Sequence, residues 1–240
     1  YTALVFHIFR GIKKLSFKVS VGADEDLPSF SLLVPFFNDA HGLAQLLPTL
    51  EQNLKGRTSP YQILFIDDYS SIAQAEKVKT LISKCSLNVN YLRNTDKPGK
   101  KNALGWGIAA AKHDFVVQTD ADCQLEPQFF ESILAPLSQP EVKVVLGLVK
   151  MTASQSFWSR FAVLDFLSLQ ASGLSLAAQG KPIMGNGAAL AYRKELWQTH
   201  YQTGTNWPSG DDVFLIQAQA KVDANSVVAA PAACALSEAP

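Results

Sequence analysis

With 240 residues, 48% of them hydrophobic and 18% charged, the chain is long enough for one large domain or two small ones and can bury a core. Twenty-one basic residues balance twenty-one acidic ones, which excludes a global field that would recruit nucleic acid or anionic lipid. Cys85, Cys123 and Cys234 are scattered and odd in number, which argues against a disulfide framework or a zinc site and suits a reducing cytosolic setting.

In chain order, YTALVFHIF (1–9) is apolar and is followed by Arg10, Lys13 and Lys14. Nine residues are too few to span a bilayer, which needs about 20. The stretch reads as the end of a membrane helix with its basic flank on the cytoplasmic side, or as an ordinary buried helix. Residues 1–25 are therefore set apart from a single domain over 26–240. Four apolar runs predict buried strands: FSLLVPF (30–36), YQILFID (61–67), DFVVQTD (114–120) and VKVVLGLV (142–149). Between the first three lie helical patterns. AHGLAQLLPTLEQNL (40–54) has Asn38 or Asp39 as N-cap, and SIAQAEKVKTLISKC (71–85) has Ser70 or Ser71. KKNALGWGIAAAK (100–112) is a small-residue helix suited to close packing on a sheet. This alternation predicts an α/β fold with a mostly parallel central sheet flanked by helices. Ligands of such sheets bind beyond the carboxyl ends of the strands.

The pattern then changes. QSFWSRFAVLDFLSLQASGLSLAAQG (155–180) predicts a helical pair, with Phe157, Trp158 and Phe161 on the core or at a membrane interface. IMGNGAALAYRKELW (183–197) and TGTNWPSGDDVFLIQAQA (203–220) follow, and the final AAPAACALSEAP is read as lacking a closing element. There is no internal repeat and no low-complexity linker.

Four polar strings stand at the ends of these elements. In VVQTDADCQL, an apolar run enters two acids, Asp120 and Asp122. If the strand continued, both carboxylates would face one side and repel, unless a divalent cation sat between them. Magnesium and manganese take oxygen ligands and complete their shells with water and substrate phosphates. The plain alternative is an acidic loop or a helix cap. In IDDYSS, Asp67 and Asp68 read as a turn and cap, or as carboxylates that accept hydrogen bonds from a nucleobase or ribose. TDKPGKKNALGWG (95–107) offers a helix start and lysines to an anion, but has neither P-loop spacing nor the dinucleotide fingerprint. In SGDDVFL, Asp211 and Asp212 begin a helix, as a cap or as a general base.

Taken together and in this order, these motifs resemble the family 2 glycosyltransferases of the GT-A fold, from about Phe30 onward. The resemblance rests on LVPFFND, FIDDYSS, KPGKKNALGWGI, QTDADCQLEP, MGNGAALAYRKELW and GDDVFL. It implies a hexosyltransferase that moves a sugar from a nucleoside diphosphate to an acceptor hydroxyl with inversion. Pro35, Phe37 and Asp67 or Asp68 would then border the base and ribose, and Lys100 would approach the diphosphate or ribose side. Asp120 and Asp122 would hold the nucleotide sugar through Mn2+ or Mg2+, with Asp122 the main ligand. Asp212, or else Asp211, would be the base. Gly185, Asn186 and Gly187 would lie near the donor sugar and acceptor, and Trp207 would stack on a sugar ring or be buried. UDP is the expected nucleotide, with GDP open, and the acceptor is a lipid or a growing polysaccharide. The Gln/Arg-x-x-Arg-Trp motif of processive relatives is absent, and the acid pair is Asp-Asp where many relatives have Glu-Asp. The chain is accordingly expected to be the cytosolic catalytic part of a membrane glycosyltransferase, on the cytoplasmic face of the cell membrane. The competing readings are a sugar-1-phosphate nucleotidyltransferase, which would need a Gly-rich loop that LVPFFNDAHG lacks, a non-catalytic nucleotide-sugar-binding subunit, and a structural α/β domain.

Overall fold

The structure, a computed structural model, describes residues 2–15, 27–200 and 210–238. Helix α1 (Thr2–Ile12) leads into β1 (Phe30–Phe36), α2 (Ala40–Leu54), β2 (Tyr61–Asp67), α3 (Ile72–Lys84), β3 (Val89–Arg93), α4 (Lys100–Ala110) and β4 (Phe115–Gln118). Then come β5 (Gln124–Leu125), α5 (Phe129–Leu134), β6 (Val144–Thr152), α6 (Phe157–Ala177), β7 (Leu190–Arg193), α7 (Lys194–His200), α8 (Asp211–Val222) and β8 (Val227–Glu238). The eight strands form one sheet in the order β3-β2-β1-β4-β7-β6-β8-β5. Four of its seven pairings are parallel, including all of those among β1, β2, β3 and β4.

Strand β1 is buried along its whole length because helices cover both faces of the sheet. Alternate residues divide between two cores. Leu32, Val34 and Phe65 enter one, with Leu43, Leu46 and Leu50 of α2. Leu33, Leu64 and Ile66 enter the other, with Ala103, Leu104 and Ile108 of α4. The small residues of α4 permit this approach. A Cβ on Gly107 would stand 2.1 Å from Leu33 Cδ2 and 2.3 Å from Ile66 Cδ1. The caps are those of the sequence pattern: Gly42 N–H donates to Asp39 Oδ1 (2.8 Å), and Gln74 N–H donates to Ser71 Oγ (3.4 Å).

Four expectations need correction. The run 155–180 is one helix and not a pair. Ser168 and Ser172 bond back to the helix's own carbonyls, at Asp165 O and Ser168 O, and the first left-handed residue is Gly180, beyond its end. The C-terminal stretch does have a closing element, since β8 runs parallel to β6 and buries Ala233, Cys234 and Ala235. Strand β4 stops at Gln118, two residues short of Asp120. Strand β3 was not anticipated; its alternation of Tyr91 and Arg93 is too short to register as a period.

Helix α1 lies on α6. Ser175 Oγ donates to Ile8 O (2.9 Å), and Gln179 Nε2 donates to His7 O (3.0 Å). Gly11 makes the approach possible, because a Cβ there would overlap Ser175 O at 2.2 Å. Among the described residues, no helix is long and apolar enough to cross a membrane.

Candidate active site

The order of the strands fixes where a crevice can open. From β1 the chain winds outward through β2 and β3, then returns to lay β4 on the other side of β1. The carboxyl ends of β1 and β4 therefore flank a switch point, the place where open α/β sheets bind ligands. Pro35 is buried in β1 opposite Ile66, beyond the last residue that pairs with β4, so its missing N–H costs no ladder bond on that side. Phe37 follows, 61% exposed. Asn38 is left-handed at φ 52°; its N–H donates to Ser70 Oγ (2.8 Å) and its Oδ1 accepts from Ser71 N–H (2.8 Å). The loops after β1 and β2 are thus latched together.

The two acids after β2 have separate tasks. Asp67 is fully buried and surrounded by donors from the protein itself. Ser70 N–H reaches Oδ1 at 2.7 Å, the Tyr91 hydroxyl donates to Oδ2, and Arg93 Nη1 stands 3.4 Å from Oδ2. Burial and the neighbouring Asp67 carboxylate push the Tyr91 hydroxyl well above its ordinary pKa, so it remains a donor. Asp68 reaches across to the next loop, where both of its oxygens accept from Gly99 N–H (2.9 Å) and Oδ1 accepts from Asn94 Nδ2 (3.1 Å). Gly99 sits at φ 134°, a conformation that side chains resist, and begins α4. Asp68 therefore sets the start of α4 and with it Lys100.

Lys100 Nζ meets Asp120 Oδ1 at 2.5 Å, joining the start of α4 to the turn after β4. Because β4 has already ended, Asp120 and Asp122 lie in a turn, and their carboxylates are kept apart by different partners and not by strand alternation. Asp122 is exposed; its Oδ2 accepts from Ser237 Oγ of β8 at 3.0 Å. Burial, and then Asp122 and Asp120, push the Cys123 thiol far above its ordinary pKa, so it stays protonated beside them. Among the described residues no three His, Cys, Asp or Glu side chains gather as a metal cage. A hard divalent cation fits this donor set only if substrate phosphates and water supply most of its oxygens, with Asp122 the open carboxylate and Asp120 neutralised by Lys100.

The far wall comes from two later segments. Gly187 N–H donates to Asp212 Oδ2 (2.9 Å), and Val213 N–H donates to Oδ1 (2.8 Å). Gly187 is pressed against β4: a Cβ there would stand 2.8 Å from Gln118 Nε2. Asp212 is thus linked through Gly187 to the residue two before Asp120. Asn186 Oδ1 caps the short helical turn with a bond from Ala188 N–H (2.9 Å), and Gly185 fits against Leu146 and Ile216. The amide nitrogen of Gln118 and the hydroxyl of Thr119 are buried with no hydrogen-bond partner among the described residues. Trp207 and the side chain of Asp211 lie outside the described residues. The fold brings Phe37, Asp68, Lys100, Asp120, Asp122, Gly187 and Asp212 toward one edge of the sheet and holds Pro35 and Asp67 within its frame. Sequence reasoning missed Tyr91, Arg93, Asn94 and Ser237. The first three belong to the unanticipated β3 and its exit, and Ser237 arrives from a strand more than a hundred residues away.

Residues 31–207 match the family described as Glycosyl transferase family 2. An undecaprenyl-phosphate 4-deoxy-4-formamido-L-arabinose transferase of Serratia proteamaculans is 26% identical over 165 residues, covering 65% of this chain and 48% of the relative. A dolichol-phosphate mannosyltransferase of Pyrococcus furiosus is 30% identical over 104 residues, covering 43% of this chain and 28% of the relative. The chain spans about half the length of the undecaprenyl-phosphate transferases it matches. In three dimensions it is similar to a mannosyltransferase from Pyrobaculum calidifontis in complex with GDP-Man and Mn2+, with a TM-score of 0.69 and 18% identity over 100% of this chain and 65% of that one. It is also similar to S. aureus TarS 1-349 in complex with UDP, with a TM-score of 0.64 and 16% identity over 88% of this chain and 60% of that one. The sheet order, the crevice and the motifs around it therefore have one explanation: the chain has a GT-A fold and belongs to the family 2 glycosyltransferases.

Proposed function

We propose that residues 26–240 act as one catalytic domain that moves a sugar from a nucleoside-diphosphate sugar to a lipid-phosphate or polysaccharide acceptor, at the cytoplasmic face of the cell membrane. The observation that carries this is the chain of contacts from Asp212 through Gly187 and Gln118 to the Asp120–Asp122 turn, which sets an acid at a fixed place beside a polar crevice. UDP or GDP is the donor nucleotide, in keeping with the ligands of the structural neighbours. Phe37 and Asp68 border the base and ribose, Lys100 faces the diphosphate, and Asp122 with Asp120 holds Mn2+ or Mg2+. Bound there, the cation neutralises charge on the departing diphosphate. The acceptor oxygen bonds to the anomeric carbon from the face opposite the diphosphate, the bond to the diphosphate breaks, and the configuration inverts. From a hydroxyl acceptor, Asp212 takes the proton; each of its oxygens keeps a lone pair beyond the backbone bond it accepts. A lipid phosphate is already anionic, so with that acceptor no proton has to be removed. Trp207 and Asp211 belong to the acceptor side of this reading.

Titration calorimetry with UDP and with GDP, each with and without Mn2+, tests the donor site. Binding that needs Mn2+ and is lost in Asp122→Ala is the expected result. A folded protein that binds neither nucleotide with the metal present would overturn the reading.

A further inference from the structure

We infer that the α1–α6 surface is a docking face for a lipid bilayer with anionic headgroups. Among the described residues, sixteen large apolar side chains are exposed, and ten of them are on these two helices, four on α1 and six on α6. Phe157 and Trp158 are 72% and 76% exposed, joined by Phe161 and Leu164 on the same half-helix and by Phe6 and Phe9 on α1. In the first half of α6, Ser159, Val163 and Phe166 form a half-buried side, with Phe166 packed on the core, and the other sides are exposed; Ser175 in the second half and Gln179 just beyond the helix hold α1. Exposed apolar surface on this scale marks an interaction site.

Charge selects the occupant. The whole chain is neutral, but its charges are segregated. The segment 2–15 carries Arg10, Lys13 and Lys14 and no acid, and α6 carries Arg160 against a single acid, Asp165. The face thus has a net charge of +3 where the rest has −3, counting four basic residues and one acidic. Aromatic side chains with a basic rim fit the boundary between headgroups and acyl chains of an anionic leaflet. A second copy of the chain fits less well, because a two-fold contact would set one basic rim against another. Among the described residues no helix is long and apolar enough to cross a membrane, and the inferred contact runs along these two helices. Docking of this kind places no demand on the donor site, so the two readings fail separately.

The test is co-sedimentation of the full 240-residue chain with vesicles of phosphatidylglycerol and phosphatidylcholine, and of phosphatidylcholine alone. The expected result is binding to the anionic vesicles that weakens as salt is raised. The triple variant Arg10→Gln, Lys13→Gln, Lys14→Gln should bind roughly a hundredfold more weakly, at about fivefold per charge. The double variant Trp158→Glu, Phe161→Glu should lose at least roughly tenfold while keeping its melting temperature, because both side chains already face solvent. Wild-type protein that stays in the supernatant, or variants that bind as wild type does, would overturn the inference. So would sedimentation velocity showing a dimer that the Trp158→Glu, Phe161→Glu variant abolishes, since the face would then belong to a second copy. Nucleotide titration of the same samples reads the donor site independently.

Discussion

Asp67→Asn separates the frame of the site from its ligand groups. The substitution keeps the shape and an oxygen for Ser70 N–H, but replaces Oδ2 with an NH2 that faces the Tyr91 hydroxyl and Arg93 Nη1 at 3.4 Å. A charge-assisted hydrogen bond contributes about 1.5–3 kcal/mol, and breaking a buried ion pair costs about 3–5 kcal/mol. Arg93 is 40% exposed and can turn to water, which discounts its share. The net is about 2–4 kcal/mol, a large part of a domain's typical total of about 5–15 kcal/mol. At about 2–4 °C per kcal/mol for a chain of this size, the melting temperature should fall by roughly 5–15 °C. Differential scanning calorimetry reads this directly. Titration with UDP or GDP and Mn2+ below the transition should find affinity within about threefold of wild type, since Asp67 has no exposed surface to offer a ligand. An unchanged melting temperature with affinity reduced by more than about tenfold would refute the reasoning and make Asp67 a ligand group.

Three further substitutions probe other links. Gly187→Ala puts a Cβ 2.8 Å from Gln118 Nε2 and 3.6 Å from Asp212 Oδ2, so we expect transfer, assayed with a radiolabelled donor, to fall at least tenfold while nucleotide affinity holds. Gly107→Ala overlaps Leu33 and Ile66 on the sheet and should lower stability by about 1–3 kcal/mol in urea unfolding, with no change in slope. Burial holds His113 below its ordinary pKa, a tendency that Asp114 opposes. The folded state therefore favours neutral His113, a contribution present above pH ~6.5 and lost as pH falls through the lower folded value. Thermal unfolding followed down to about pH 5 should show a smaller acid loss in His113→Gln than in wild type.

The parallel half of the fold was legible because its strands are buried on both faces and read as unbroken apolar runs, as FSLLVPF does. Its helices carry cap residues that the structure uses, Asp39 and Ser71. Legibility failed where a strand has no such run. In β3, only Val89 is buried and the five residues VNYLR carry no pattern strong enough to distinguish them from loop. Strand β8 is small-residue and proline-bearing, and it exists because β6 offers it a partner. That is a tertiary cause, invisible to a local reading. The motifs marked the crevice, but not the division of labour within it. IDDYSS does not say that Asp67 faces Tyr91 while Asp68 faces Gly99; that depends on a strand and a loop brought in from residues 91–99.

The antiparallel part of the sheet has a consequence for the chemistry. A parallel strand delivers the residues that follow it to the carboxyl edge of the sheet, as β1, β2 and β4 deliver Phe37, Asp68 and Asp120. Strand β7 is antiparallel to β4, with Leu190 opposite Gln118, so it delivers the residues that precede it. Gly185, Asn186 and Gly187 reach the crevice for that reason, and the Gly187 N–H is then free to hold Asp212 at the start of α8. Reversing one strand thus allows nucleotide-facing and acceptor-facing groups to come from opposite chain directions and meet at one edge. The wall formed by Gly187 and Asp212 shares no hydrogen bond with the latched loops of β1 and β2 among the described residues. Substitutions on that wall should therefore alter transfer before they alter nucleotide binding, and substitutions at Asp68 or Asn38 should do the reverse.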